Sequence, residues 1–231
     1  MKILVTAGPT REALDPVRFL SNRSSGKMGY AIAAAAQNRG HNVRLVSGPV
    51  ALDAPCGVGV SHVVSASEMQ DSVLNAFSWC DALVMSAAVA DWRPRSFAAE
   101  KLKKRDMAIS LELERTPDIL MSVSRVKHNQ IVVGFAAETE NLLAEARRKL
   151  KAKALDLIVA NDVSRADAGF EVDMNAVTLV RPDGADVLPL MSKFEVAERL
   201  IEWIEKQRPR FRLADIPATA GDEAVNNIGD F

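Results

Sequence analysis

Short apolar runs alternate with helix-forming stretches along almost the whole chain, and this rhythm limits the possible folds more than any other feature. The apolar runs fall at 2–6, 43–47, 82–86, 131–136 and 156–160. Stretches with helical spacing of apolar residues fall at 27–38, 67–78, 117–126, 140–153 and 193–207. Runs of this length, bounded by Gly, Pro and polar residues, read as strands covered on both faces. Strands and helices in alternation imply an α/β fold, a Rossmann-like, doubly wound, mostly parallel sheet with helices on both faces. Two more short runs, 175–180 and 187–190, flank Arg181-Pro182-Asp183-Gly184. The Asp-Gly pair predicts an antiparallel β-hairpin, added to the sheet or projecting from it.

Right-handed crossovers place the C-terminal ends of parallel strands on one edge, where ligands bind. The polar stretches 7–26, 87–104, 137–139 and 161–170 therefore converge there. Ser24, Ser25 and Gly26 open an Ala-rich helix directly after the first polar stretch. Free N–H groups at a helix start attract anions, and glycine lets a phosphate approach the backbone. This predicts a phosphate or nucleotide site. Close packing of a helix on a strand is an equal explanation for Gly26 and Gly29.

The formal net charge of −1 gives no support for a nucleic-acid or membrane partner. Cys56 and Cys80 make neither a disulfide framework nor a metal spacing, and Cys80 reads as a core residue. His41, His62 and His128 have no ligand-like neighbours. No signal peptide or spanning apolar run is present, so a cytoplasmic location is expected. Residues 1–207 read as one domain, and 208–231 as a loosely ordered tail or docking arm.

Several segments carry both a chemical and a structural reading. Small residues after the third strand, from Ser86 to Ala90, let a flat ring approach the backbone. Asp91 accepts from an amine or ribose hydroxyl on one reading and caps a helix on the other. The basic run Lys101 to Arg105 is either a solvated face or a mobile loop closing over polyphosphate. Phe135 and Glu138 end the fourth strand, as a base-stacking ring and a polar contact or metal ligand, or as core and cap. Lys149 and Lys153 share one helix face, serving phosphate or the helix dipole. Asn161-Asp162 reads as a turn element.

In their order, these segments resemble the phosphopantothenoylcysteine synthetase (phosphopantothenate–cysteine ligase) family of coenzyme A biosynthesis. The resemblance rests on Thr6 to Glu12, Asp15-Pro16-Val17-Arg18, Ser21 to Gly29, Ala87 to Asp91 and Lys101 to Lys104. Pro117-Asp118-Ile119, Gly134 to Thr139 and Ala160 to Val163 complete it, over residues 2 to about 206. In many bacteria the synthetase is one half of a bifunctional protein with a flavin-dependent decarboxylase. The resemblance implies CTP-dependent ligation of 4′-phosphopantothenate with L-cysteine, through an acyl-cytidylate, with Mg²⁺ and a homodimer. It gives Asn22 and Lys101 catalytic roles, Asn22 at the pantothenate and acyl-cytidylate, Lys101 at the α-phosphate. Lys101 to Arg105 become a flap. Ala87 and Ala88 join Asn22 at the substrate. The nucleotide falls to Ser24, Ser25, Gly26, Met85, Ser86, Ala87 and Asp91 at the strand ends. Pro117, Asp118, Ile119, Leu120 and Phe135 line its pocket, and Lys149 and Lys153 meet the triphosphate. The 175–190 hairpin is a candidate dimer contact. Thr116 stands where the family often has Asn, which removes any contact from that side chain.

Two rivals remain. An NAD(P)-dependent reductase lacks its G-x-G-x-x-G turn, an acid after the second strand, and a Tyr-x-x-x-Lys pair, since Ala34 follows Tyr30 at that spacing. A non-catalytic nucleotide-binding module has no need of Asn22 or Lys101.

Overall fold

The computed structural model describes residues 1–103, 110–138, 142–162 and 173–207. Its strands begin with β1 (Lys2–Ala7), β2 (Arg11–Ala13) and β3 (Phe19–Ser21), followed by helix α1 (Lys27–Asn38). Next come β4 (Asn42–Ser47), β5 (Gly59–His62), α2 (Ala66–Phe77), β6 (Ala82–Met85) and β7 (Trp92–Pro94). The middle holds β8 (Leu113–Arg115), α3 (Ile119–Val126), β9 (Ile131–Glu138), α4 (Leu142–Ala152) and β10 (Leu157–Asp162). The chain continues through β11 (Met174–Asn175), β12 (Val177–Arg181), β13 (Gly184–Val187), β14 (Met191–Ser192) and α5 (Lys193–Lys206).

Eight strands form one sheet in the order β13-β12-β10-β9-β6-β1-β4-β5. Six of them, from β10 to β5, run parallel, and the β12–β13 hairpin adds antiparallel at the edge. Alternation along each strand divides the core. Ile3, Val5 and Ala7 pack with α1 and α5 on one face. Leu4, Leu83 and Ile158 pack with α2, α3 and α4 on the other. The doubly wound expectation is met, and burial on both faces explains the unbroken apolar runs.

The hairpin differs in register from the sequence reading. Arg181 faces Gly184, so Pro182 and Asp183 form the two-residue turn. The return strand is Gly184–Val187, not 187–190. The Arg181 guanidinium pairs with both Asp183 and Asp186, pinning the turn from both sides. Short pairs within loops escaped the periodicity altogether: β2 with β3, β7 with β8, and β11 with β14. Asn161 and Asp162 belong to β10 rather than to a turn, paired with Ala137 and Glu138. The C-terminal tail lies outside the described residues.

The chain leaves β1 toward β4 and β5 on one side, then returns to β6, β9 and β10 on the other. This reversal opens a crevice beyond the C-terminal ends of β1 and β6. There Gly8 C=O accepts from Ala88 N–H at 2.9 Å, and Pro9 bridges to Ala88. Two buried threonines fasten the crevice from below. Thr6 Oγ1 accepts from Ala87 N–H at 3.1 Å, and Thr10 Oγ1 from Ala90 N–H at 3.0 Å.

Candidate active site

A cleft of about 910 Å³ occupies this crevice, within the size range of small-molecule sites. The start of α1 forms one wall. Gly26 holds the N-cap position with φ of +80°, a left-handed conformation that glycine adopts without penalty. No side chain caps α1. Ser24 Oγ instead accepts from Gly26 N–H at 3.3 Å, tightening the turn. One helical turn on, a Cβ at Gly29 would lie 2.5 Å from Ala7 Cβ and 2.8 Å from Thr6 O. Helix packing therefore explains Gly29, while Ser24, Ser25 and Gly26 lie on the cleft.

Asn22 follows β3 and reaches across the crevice. Its Nδ2 donates to Ala88 O and Val89 O, both at 3.1 Å. Those bonds occupy both amide hydrogens, so the Asn22 amide first positions the 88–89 turn beside the cleft. Met85, Ser86 and Ala87 continue the wall, with Ser86 Oγ donating to Thr6 O at 2.9 Å.

Asp91 does not cap a helix. It precedes β7, its C=O accepts from Thr116 N–H at 3.0 Å, and the residue lines the cleft. The helix cap is Asp118, whose Oδ1 accepts from Met121 N–H at 3.1 Å. The same carboxylate pairs with Lys153 Nζ at 2.9 Å, which holds that ammonium at the cleft. Lys153 N–H donates to Lys149 O at 3.0 Å, extending the helical turn one step past α4. Both lysines line the cleft, as do Pro117, Ile119, Leu120 and the half-buried Phe135. The side chain of Glu138 lies outside the described residues.

The structure does not bring Lys101 to the cleft wall. Lys101 is exposed, and Lys104 and Arg105 of the expected flap lie outside the described residues. The root of that segment is fixed, however. Asp15 Oδ2 accepts from Leu102 N–H at 3.1 Å and from Arg18 Nη2 at 2.6 Å. Arg18 Nη2 also donates to Leu102 O at 2.9 Å. The Arg18 guanidinium holds the Asp15 carboxyl far below its ordinary range, helped by N–H donors from Val17 and Arg18. The acid–arginine spacing of three is a local signal for the Asp15–Arg18 pair alone, not for its reach to Leu102.

Cys80 is a core residue, its thiol pushed up to about 12 by burial. Among the described residues no three His, Cys, Asp or Glu side chains cluster to hold a metal. No described helix is long and apolar enough to cross a membrane.

The whole of residues 1–207 matches the family model "DNA/pantothenate metabolism flavoprotein C-terminal domain". The coenzyme A biosynthesis bifunctional protein CoaBC of Bacillus subtilis is 50% identical over 204 residues, covering 87% of this chain and 50% of that protein. CoaBC of Escherichia coli K12 is 48% identical over 208 residues, 88% of this chain and 51% of that protein. The chain thus spans about half the length of these curated relatives. A crystal structure of the C-terminal domain of CoaBC superimposes with a TM-score of 0.77 at 44% identity, over 90% of this chain and 96% of that one. The chain belongs to the DNA/pantothenate metabolism flavoprotein C-terminal domain family.

Proposed function

We propose that the cleft joins 4′-phosphopantothenate to L-cysteine at the expense of CTP. In this reading the pantothenate carboxylate attacks the α-phosphate of CTP, forming an acyl-cytidylate and releasing pyrophosphate. The cysteine amine then attacks the acyl carbon, CMP leaves with the bridging oxygen, and the amine loses a proton. The observation that carries the reading is the convergence, on one cleft, of an uncapped helix start, two lysines and an apolar slot. The relatives named CoaBC support it.

The parts divide the work by chemistry. Ile119, Leu120 and Phe135 offer a flat apolar slot for the base, and Asp91 an acceptor for its amine. Lys149, Lys153 and the start of α1 attract the triphosphate. Lys101 moves inward on its pinned root to offset charge gathering on the α-phosphate. Asn22 orders the 88–89 turn against which the acid lies. Mg²⁺ suits this donor set, since it takes one or two carboxylates and keeps the rest of its shell for phosphate and water. The ion would supply charge neutralisation of the triphosphate.

A homodimer completes the proposal. Val17, Phe19, Trp92 and Leu113 are 45% to 59% exposed on the β2–β3 and β7–β8 pairs. Trp92 also lines the cleft, so a second copy seated there lies beside the site. This face is favoured over the 175–190 hairpin for that continuity.

The reductase alternative has no foothold at β4. Arg44 stacks on the Trp79 ring at 4.0 Å, away from any 2′-phosphate role. Ser47 ends the strand bonded to Tyr30 Oη at 3.0 Å, where a ribose-binding acid would stand. Pyrophosphate release, measured with 4′-phosphopantothenate, Mg²⁺ and CTP or ATP, tests the reading. Sustained release that requires cysteine and prefers CTP is expected. No release with either nucleotide overturns it in favour of a binding module.

A further inference from the structure

Thr116 stands between β8 and α3, and no step above uses its hydroxyl. Its N–H donates to Asp91 O at 3.0 Å and its Oγ1 to Ala90 O at 2.5 Å. One residue thus holds the carbonyl groups of two consecutive residues. From the other side the buried Thr10 Oγ1 accepts from Ala90 N–H at 3.0 Å. Thr10 is itself tied to β3, since Ser21 Oγ donates to Thr10 O at 2.8 Å. The backbone that leads into Asp91 is gripped from two separate loops.

The local sequence makes this grip stiff. A β-branched side chain has few χ1 choices. Pro117 restricts the residue before it to extended backbone, which carries the β7–β8 ladder one step past Trp92 and Arg115. Pro117 and Asp118 then lead into α3, whose Ile119 and Leu120 line the cleft, as Thr116 does. Thr116 therefore fastens the Asp91 wall to the wall that carries the apolar slot. With the carbonyls of 90 and 91 fixed, the Asp91 Cα–Cβ bond has one direction, and only two side-chain torsions remain to place the carboxylate. A carboxylate only accepts hydrogen bonds. Cytosine offers an amine at its 4-position and uracil a carbonyl oxygen, so a well-placed carboxylate attracts the one and repels the other. Discrimination of this kind is lost when the acceptor moves.

We propose that Thr116 is a positioning residue for nucleobase choice: it fixes the Ala90–Asp91 backbone and, through it, the carboxylate that separates cytosine from uracil. This rests on the ligase reading for the assignment of the base amine to Asp91.

Titration calorimetry of the full chain with CTP and with UTP tests it without turnover. Thr116→Val keeps the shape and the N–H and removes only the hydroxyl donor. The ratio of CTP to UTP affinity should fall about tenfold, through weaker CTP binding, while 4′-phosphopantothenate affinity stays unchanged. Thr116→Ser keeps a hydroxyl and should recover most of the ratio. Asp91→Asn should erase the preference, because an amide both donates and accepts. Thr116→Val added to Asp91→Asn should then change the ratio no further, the mark of a residue that acts through Asp91. Equal native affinity for CTP and UTP overturns the proposal. So does a native ratio in folded Thr116→Val, an equal loss for both nucleotides, or the same fall in the Asp91→Asn background. If Thr116→Val does not fold, Thr116→Ala carries the same comparison. Pyrophosphate release separates this role from the reaction. A CTP preference that follows Thr116 without any release refutes the ligase and leaves the role standing. Release by a chain whose preference ignores Thr116 does the reverse.

Discussion

The carboxylate of Asp15 accepts a hydrogen bond from the main-chain N–H of Leu102 at 3.1 Å, across 87 residues of sequence. Arg18 closes the clamp from the other side through Leu102 O. The β2–β3 pair thereby sets the position from which Lys101 departs. Asp15→Asn would turn an N–H group toward Arg18 or Leu102 and open the clamp. We predict a drop of about 10²-fold in the rate of pyrophosphate release, because misplacing a reacting group by an ångström costs that much. Near-unchanged rates in stopped-flow measurements would remove Asp15 from the positioning of Lys101.

The same carboxylate predicts a pH response. Its folded pKa lies below the ordinary 3.8, so it favours the folded arrangement at every pH above that value. The contribution is lost as pH falls below 3.8 toward the depressed folded value. Thermal melts of the native chain and Asp15→Asn should therefore converge as pH falls below about 4. A gap that stays constant down to pH 2 would contradict this (melts at both ends of the range suffice).

Lys101→Gln separates chemistry from folding. The side chain is exposed, so stability should change by less than about 0.5 kcal/mol. Activation of the acid should fall by about 10²-fold or more, the usual cost of removing one charge-stabilising group. Denaturant melts and pyrophosphate release check the two halves. Normal turnover would exclude Lys101 from the reaction.

Asn22→Asp sets a carboxylate against Ala88 O and Val89 O, where two N–H bonds now lie. The loss should cost about 1–3 kcal/mol in denaturant melts. Formation of the acyl-cytidylate should slow with it. An unaltered melt and unaltered kinetics in both half-reactions would refute the role.

Val17→Glu places charge on the exposed apolar face of the β2–β3 pair. Sedimentation should show a dimer for the native chain and a monomer for the variant. A native monomer at working concentration would refute the dimer, and a variant that stays dimeric would move the interface elsewhere.

The parallel core was readable because strands such as Lys2–Ala7 and Ala82–Met85 are buried on both faces, which leaves an unbroken apolar signature. The helices were readable from their apolar stripes. Three-residue strands such as Trp92–Pro94 carry no such pattern, since side-chain alternation needs more length. Asn161 misled because asparagine favours turns, while here pairing on both sides, to Ala137 and Val177, imposes strand geometry on it. The helix cap read as an alternative at Asp91 falls to Asp118 for a related reason, while both acids line the cleft. Either acid can cap a helix, and only the tertiary position of α3 decides which one does. The Asp15–Leu102 contact joins two loops, and no local pattern encodes it.

The central claim is that a carboxylate oxygen becomes bonded to the α-phosphorus before cysteine reacts. Turnover of 4′-phosphopantothenate labelled with ¹⁸O in its carboxylate, with CTP and cysteine, tests it by mass spectrometry of the products. The account predicts one ¹⁸O atom in CMP and none in pyrophosphate. Unlabelled CMP, or ¹⁸O in inorganic phosphate, would contradict it.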